Sequence, residues 1–399
     1  MSPDDLCALA STHGQAALQR WAAEDPQRLA LNAARSPQLP VRAIVEQLTL
    51  RQRYRQKFAS WLPYLLLESQ ACEQAASQAL ARWKARNLLP AQSQSVVDCC
   101  AGLGSDIFAA AEAGHHTQAW EHNPLLASLL RHNAQALKLP LTVHQGDGCT
   151  DLAEAGTVLA DPDRRASGRR SLQPSDWSPT PAAILAAAHN AACIILKLPP
   201  GADPSSIASP GHRQLIVLSQ AGEAREQLLC IYPRQPATVL PARAVGLDYL
   251  GNLRFDVQGD ANTAPPPPLS WQQPGPVFID PDPALIRSGL IATCAQRHRL
   301  SLVHPQVAFL HGNDPGTDFP GSRFQVHDSG PWENKILRRR LRQMGLSRLR
   351  ISRRHFPWTV ESIHHRLGTR EGGSMRLFCY RNGDEALAWT LAEPLLAEG

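Results

Sequence analysis

Val96-Val97-Asp98-Cys99-Cys100-Ala101-Gly102-Leu103-Gly104-Ser105-Asp106 is the stretch that decides the fold. A short apolar run ends in an acid and passes into a tight turn with two glycines, and Ile107–Ala113 then reads as a helix. Strand, glycine loop and helix N-terminus in that order build a nucleotide-type site at the carboxyl edge of a parallel sheet. Gly102 and Gly104 let the backbone approach a ligand closely, and the helix N-terminus offers free N–H groups to a carboxylate or phosphate. Glycines also end strands in loops that bind nothing, so the loop draws its meaning from the strands downstream of it.

Gln118-Ala119-Trp120-Glu121-His122-Asn123 predicts a second strand ending in an acid. Glu121 falls about twenty residues beyond the loop, where an acid can bond both hydroxyls of a ribose. Leu141-Thr142-Val143-His144-Gln145-Gly146-Asp147 predicts a third strand with an acid just past its end, and Thr157-Val158-Leu159-Ala160-Asp161-Pro162 a fourth. Any one of these acids is more often a turn residue or a helix cap. Four at successive strand ends are hard to treat as caps alone. A nicotinamide enzyme is disfavoured, because Asp106 and Ile107 stand where its third glycine belongs. A P-loop is excluded, since no Gly-Lys-Ser/Thr follows the turn.

This pattern resembles the class I methyltransferases that use S-adenosylmethionine. The resemblance implies a Rossmann-like α/β sheet with S-adenosyl-L-methionine as cofactor. It makes Asp98 and the loop at Ala101, Gly102 and Gly104 the first donor motif, Glu121 the ribose acid and Asp147 the adenine-side acid. The wider chain resembles bacterial members with a THUMP-like C-terminal domain. The segments that carry this are Leu67–Ala75, Asp161-Pro162-Asp163-Arg164-Arg165 followed by Gly168-Arg169-Arg170, Phe278–Ile286, Arg354–Trp358 and Gly372-Gly373. Cys99-Cys100 departs from the smaller or hydroxyl residues often seen before the glycines. Loop backbone makes those contacts, so donor binding is expected to survive the departure.

The chain divides into four stretches. Residues 1–88 read as a helical domain, with helices expected over Leu6–Trp21, Val41–Ala59 and Ser69–Ala85. Residues 89–262 alternate strand-like and helix-like runs and form the donor-binding domain. Within it, Pro181–Ala192 predicts a helix and Ala192–Leu198 a buried strand. Gln214–Ser219 and Glu226–Tyr232 predict an antiparallel closing pair. Pro265–Pro268 and the prolines at 274 and 276 mark a linker over 263–276. Residues 277–399 read as a THUMP-like α+β domain.

At 399 residues the chain has room for two or three domains. Its formal net charge of +5 permits a polyanionic partner without demanding one. Nine cysteines include no Cys-x-x-Cys pair, and Cys99 and Cys100 are expected on opposite faces of a strand, so no metal is expected. Reduced thiols, a start without a basic signal region and the lack of a transmembrane-length apolar run suggest a cytoplasmic protein with no membrane partner. The paired histidines at 115–116 and 364–365 lack metal-ligand spacing.

Methyl transfer from a sulfonium is an in-line displacement, so the enzyme must chiefly align the nucleophile. Asp161 is the expected acceptor of the nucleophile's proton or hydrogen bond, and Pro162 stiffens its loop. Arg164 and Arg165, with Arg169 and Arg170, either bind phosphates or pair with Asp161 and Asp163. The run from Lys335 to Arg354 carries nine cations and no acid, over an expected helix at Glu333–Met344 and a strand at Leu349–Ser352. It is either a solvated face or an RNA track in which Arg338, Arg339 and Arg342 contact phosphate. Trp332, His355, Phe356 and Trp358 flank it as stacking candidates, although Phe356 and Trp358 equally suit a core. THUMP domains are associated with RNA, so the resemblance favours methylation of rRNA or tRNA. The alternatives are a methyltransferase of a small molecule or protein, and an RNA-binding protein with a vestigial donor fold. A flipped DNA base is disfavoured, because no Asn-Pro-Pro-Tyr is present.

Overall fold

The structure is a computed structural model that describes residues 2–22, 40–90, 95–150, 152, 154–164, 171–266, 275–382 and 386–395. By its own packing the chain falls into two compact units. The first takes residues 1–215, 226–240 and 249–251, and the second takes 216–225, 241–248 and 252–399. The four functional stretches read from the sequence stay our proposal; they are not the packing units.

The first unit opens with α1 (Pro3–Ala10), α2 (Thr12–Arg20), α3 (Val41–Arg53), α4 (Arg55–Phe58), α5 (Ser69–Gln74) and α6 (Gln78–Asn87). Two expected helices are each split by a serine. Ser11 accepts from the Gly14 N–H and starts α2, and Ser77 accepts from Leu80 N–H and starts α6. Buried amides tie the approach to the sheet. Gln47 bonds the N–H and carbonyl of Leu67, and Asn133 those of Leu66.

The sheet follows with β1 (Ser95–Asp98), α7 (Ser105–Glu112), β2 (His116–Glu121), α8 (Pro124–Ala136), β3 (Leu141–Gln145), β4 (Thr157–Ala160), α9 (Pro181–Ala187) and β5 (Cys193–Leu198). Strands β3, β2, β1, β4 and β5 lie side by side in that order, all parallel. Strand β6 (His212–Gln220) leads to β7 (Glu223–Tyr232), whose Gln227–Ile231 pairs antiparallel with β5. Residue alternation sorts the core. Val96 joins the cluster under the N-terminal helices, α7 and α8, while Val97 joins the opposite one with Ile194, Leu196 and Trp177. The N-terminal helices therefore share one core with the sheet. The chain order reverses between β1 and β4, the switch point where open α/β sheets bind ligands. Beyond β7 lies the short β8 (Thr238–Val239).

In the second unit, Ile216–Gln220 of β6 runs parallel to β9 (Ala242–Leu247), which pairs antiparallel with β10 (Leu253–Gly259). A second sheet holds β11 (Val277–Pro281), β12 (Ser301–His304), β13 (Val307–Gly312), β14 (Gly321–Pro331), β15 (Arg348–Arg354), β16 (Arg370–Arg381) and β17 (Leu387–Pro394). Its order is β12-β13-β11-β14-β17-β16-β15, parallel only between β15 and β16. Short helices α10 (Pro283–Arg287) and α11 (Ile291–Arg297) lie in the chain between β11 and β12, and α12 (Asn334–Gln343) and α13 (Val360–Leu367) flank β15 in sequence. One sheet face carries Phe278, Phe309, Phe324, Phe378 and Tyr380; the other packs Leu377 and Cys379 with Leu337 and Leu341 of α12 and Ile363 and Leu367 of α13. Among the described residues no helix is long and apolar enough to cross a membrane.

Candidate active site

The glycine loop leaves β1 at Asp98 and caps α7. Ala101 donates its N–H to the Trp120 carbonyl and accepts from Gly104 N–H, which closes the turn. Gly102 has φ +55° and Gly104 φ +94°, conformations that disfavour any side chain. They serve different ends. A Cβ on Gly104 would meet Leu130 at 2.3 Å, so this glycine permits close packing. A Cβ on Gly102 would meet nothing among the described residues within 4 Å, so the space above this loop is open to a ligand. As N-cap, Gly104 makes no side-chain cap bond, and the first N–H groups of α7 remain available to an anionic group.

Glu121, 5% exposed at the end of β2, binds this loop directly. One carboxylate oxygen accepts from Gly102 N–H at 2.9 Å and the other from Asn123 N–H at 2.8 Å. Asp147 is exposed past β3 and accepts from Cys149 N–H at 2.9 Å, an Asx turn. Asp98 is buried and accepts from Cys100 N–H. Burial, helped by the neighbouring Asp106 carboxylate, pushes it up to about 8. Cys99 and Cys100 lie in the turn after β1 rather than within the strand, and their sulfurs are 3.8 Å apart. The expected opposite-face placement is thereby corrected: β1 ends at Asp98, before either cysteine.

Asp161 follows β4 beside Asp98. Its N–H donates to Cys100 Sγ, and its carboxylate accepts from Lys197 Nζ at 2.6 Å. Lys197 belongs to a buried ionic chain that spacing alone did not reveal. Lys197 is 4.0 Å from Glu226 on β7, Glu226 is 2.6 Å from Lys84 on α6, and Lys84 is 2.7 Å from Asp106 on α7. Burial would lower Lys197, but the carboxylates of Asp161, Glu226 and Asp106 outweigh it and hold the ammonium above its ordinary range. Burial would raise Glu226, but Lys84 and Lys197 hold it below its ordinary range. The signal was present in the sequence as single charges inside apolar runs, Lys197 in Cys193–Leu198 and Glu226 before Gln227–Tyr232. Lys84, Asp98, Asp106, Asp161 and Lys197 line a cavity of about 30 Å³, sized for a water or two. Trp120, also missed, stacks on His144 at 4.6 Å, and its buried indole N–H has no partner among the described residues.

Arg164 is half-buried, and Arg165, Gly168, Arg169 and Arg170 lie outside the described residues, as do Pro267, Pro268 and Pro274 of the linker. Asp161 is paired with Lys197 rather than with an arginine among the described residues. In the second unit, Arg339 and Arg342 are exposed, whereas Arg338 donates to the Arg366 carbonyl. Phe356 is core, at 4% exposure, in contact with the half-buried Trp332 and Trp358. Among the described residues no group of His, Cys, Asp and Glu could hold a metal ion.

Residues 321–393 match the family model described as THUMP domain-like. The chain is similar to an uncharacterized S-adenosylmethionine-dependent methyltransferase of Mycobacterium tuberculosis, strains CDC 1551 and H37Rv. The identity is 25% over 356 residues, covering 88% of this chain and 95% of the relative. A crystal structure of a candidate methyltransferase from Porphyromonas gingivalis W83 shares the fold. Its TM-score is 0.80 at 21% identity, over 99% of this chain and 100% of that one. The fold and these similarities are those of class I, S-adenosylmethionine-dependent methyltransferases, with a THUMP-like region at residues 321–393.

The residues present fit that donor. Open space over Gly102, uncapped N–H groups on α7, the acid Asp98 and the carboxylates Glu121, Asp147 and Asp161 suit a cation that carries a carboxylate of its own.

Proposed function

We propose that this methyltransferase acts on RNA, and that Asp161 and Pro162 form the acceptor side of its active site. The observation that carries the RNA reading is the THUMP-like region's set of exposed cations. Lys335, Arg339, Arg342 and Arg350 have no ion-pair partner among the described residues. Cations held in that state neutralise phosphates without sequence choice.

S-adenosylmethionine supplies an electrophilic methyl group when bound. The chain's own residues align and exclude. The loop at Ala101, Gly102 and Gly104, with Asp98 and Glu121, would hold the donor, and Asp147 its adenine side. Lys197 takes one side of the Asp161 carboxylate, and the side chain stays 38% exposed. A carboxylate held this way is a hydrogen-bond acceptor for an amine or hydroxyl nucleophile. Pro162 offers no N–H and fixes the turn beneath it. Arg164 and Arg165 follow on the same loop and suit a phosphate of the same nucleotide.

Labelled donor and purified protein, incubated with total RNA from a strain lacking the gene, test the substrate. Nucleoside analysis should show one methylated nucleoside. Asp161→Ala should lose turnover by at least a hundredfold, a typical general acid–base contribution, and keep donor affinity. Labelling of protein or small molecules without RNA labelling would replace this reading.

A further inference from the structure

The cations around α12 do not form the continuous track that their sequence suggests. Arg340 is paired with Asp328 and Arg354 with Asp280, while Arg348 and Arg353 donate to the backbone carbonyls of Glu371 and Phe356. A second set of cations instead converges from two helices. Asn334, Lys335 and Arg338 of α12 face Ser362, His365 and Arg366 of α13 across an open groove of about 490 Å³. Among the described residues no carboxylate lines it.

Two of its arginines are held in place before any ligand arrives. Arg338 donates through Nε to the Arg366 carbonyl at 3.1 Å, and a second guanidinium nitrogen bonds the same oxygen. A guanidinium has five N–H donors, so others remain. The Arg366 guanidinium carbon lies 4.3 Å from the Trp358 ring centroid, and its buried Nε–H has no partner among the described residues. Leu337, Leu341, Ile363 and Leu367 belong to one apolar cluster that fixes the helices together. Asn334 accepts from Trp332 Nε1–H through Oδ1, which leaves its amide N–H₂ to donate. The groove is lined by the cations Lys335, Arg338 and Arg366, the imidazole of His365, and Asn334 and Ser362, which offer N–H and O–H. That set matches the acceptor-only oxygens of a phosphate.

We propose that the groove between α12 and α13 seats a single phosphate group of the RNA substrate. The proposal rests on the RNA reading and narrows it to an anchor point. The phosphate has two possible sources, an internal diester or a terminal monoester.

The full chain is compared with Lys335→Gln/His365→Gln, which alters exposed groove residues, and with Arg339→Gln/Arg342→Gln, which alters exposed residues outside it. Two readouts are needed: broadening of the ³¹P resonance of inorganic phosphate, and affinity for a labelled single-stranded RNA bearing either a 5′-phosphate or a 5′-hydroxyl. The groove variant should lose the broadening and bind RNA about tenfold more weakly, as expected for lost charge-assisted bonds. The other variant should keep the broadening. Loss confined to the 5′-phosphorylated RNA identifies a terminal monoester, and equal loss on both an internal diester. Unchanged RNA and phosphate binding by a folded groove variant overturns the seat and leaves the RNA reading standing. A wild type that broadens phosphate but binds no RNA removes the RNA and with it the source proposed.

Discussion

Glu121 spends both carboxylate oxygens on backbone N–H groups of its own unit, yet a carboxylate can accept about four hydrogen bonds. His122 Nδ1 lies 3.2 Å from one of these oxygens, and the remaining acceptor capacity is what a ribose would use. Glu121→Gln preserves shape and one acceptor oxygen, and should weaken S-adenosylmethionine binding by about 1.5–3 kcal/mol, the worth of bonds to a charged group. Calorimetry decides this, and equal affinities would remove Glu121 from the ribose. Asp98 makes a different prediction. With Asp98 raised to about 8, the native state keeps a proton that the unfolded chain has released over the interval above the ordinary carboxylate range. Stability contributed by this group therefore falls as pH rises through that window. Asp98→Asn should flatten the decline of the urea midpoint between about pH 5 and about pH 8. Parallel declines in the two proteins would mean that Asp98 is ionised when folded. Both acids were legible as strand-end residues. Their burial and the bond from Gly102 N–H to Glu121 were not, because these arise only when β1 and β2 lie side by side.

Elements were legible where one local rule governed them and blurred where two competed. The apolar run before Asp98 and its glycine turn gave β1 and α7 to within a residue or two. The Leu6–Trp21 and Ser69–Ala85 stretches keep helical periodicity across their breaks, and the serine caps that split them outweigh it. Lys197 sits in a strand otherwise apolar, and alternation turns it with Ile195 away from Ile194, Leu196 and Leu198 toward Lys84 and Asp106. Its charge reads as an anomaly in the sequence and as a partner for Asp161 once β4 and β5 are adjacent. The junction of loop and helix carries its own test. Gly104→Ala places a methyl group against Leu130 and Phe108 at a positive φ. Backbone strain and overpacking should each cost about 1–3 kcal/mol. Thermal unfolding should show a clear fall, and an unchanged melting point would mean that the loop relaxes freely.

At the scale of the whole molecule, the sequence shows where charge is concentrated but not which charges are free. The nine cations from Lys335 to Arg354 look uniform in the chain. Folding sorts them: Arg340 and Arg354 neutralise acids of their own unit, while Arg339, Arg342 and Arg350 stay exposed. On the proposed RNA reading, phosphate contacts would fall to the exposed group, and each phosphate neutralised contributes about 0.7 to the salt slope on a single strand. Arg339→Gln/Arg342→Gln/Arg350→Gln keeps the side-chain stems and removes three charges. RNA affinity should fall most at low salt, with a slope shallower by up to about 2 for single-stranded RNA. The loss should be similar across unrelated RNA sequences, since phosphate contacts carry no base information. S-adenosylmethionine affinity, set within the other unit, should not change. Salt titrations of RNA binding by anisotropy, paired with donor calorimetry, measure both. A folded variant with wild-type slope would make these arginines a solvated face and return the small-molecule or protein substrate to first place.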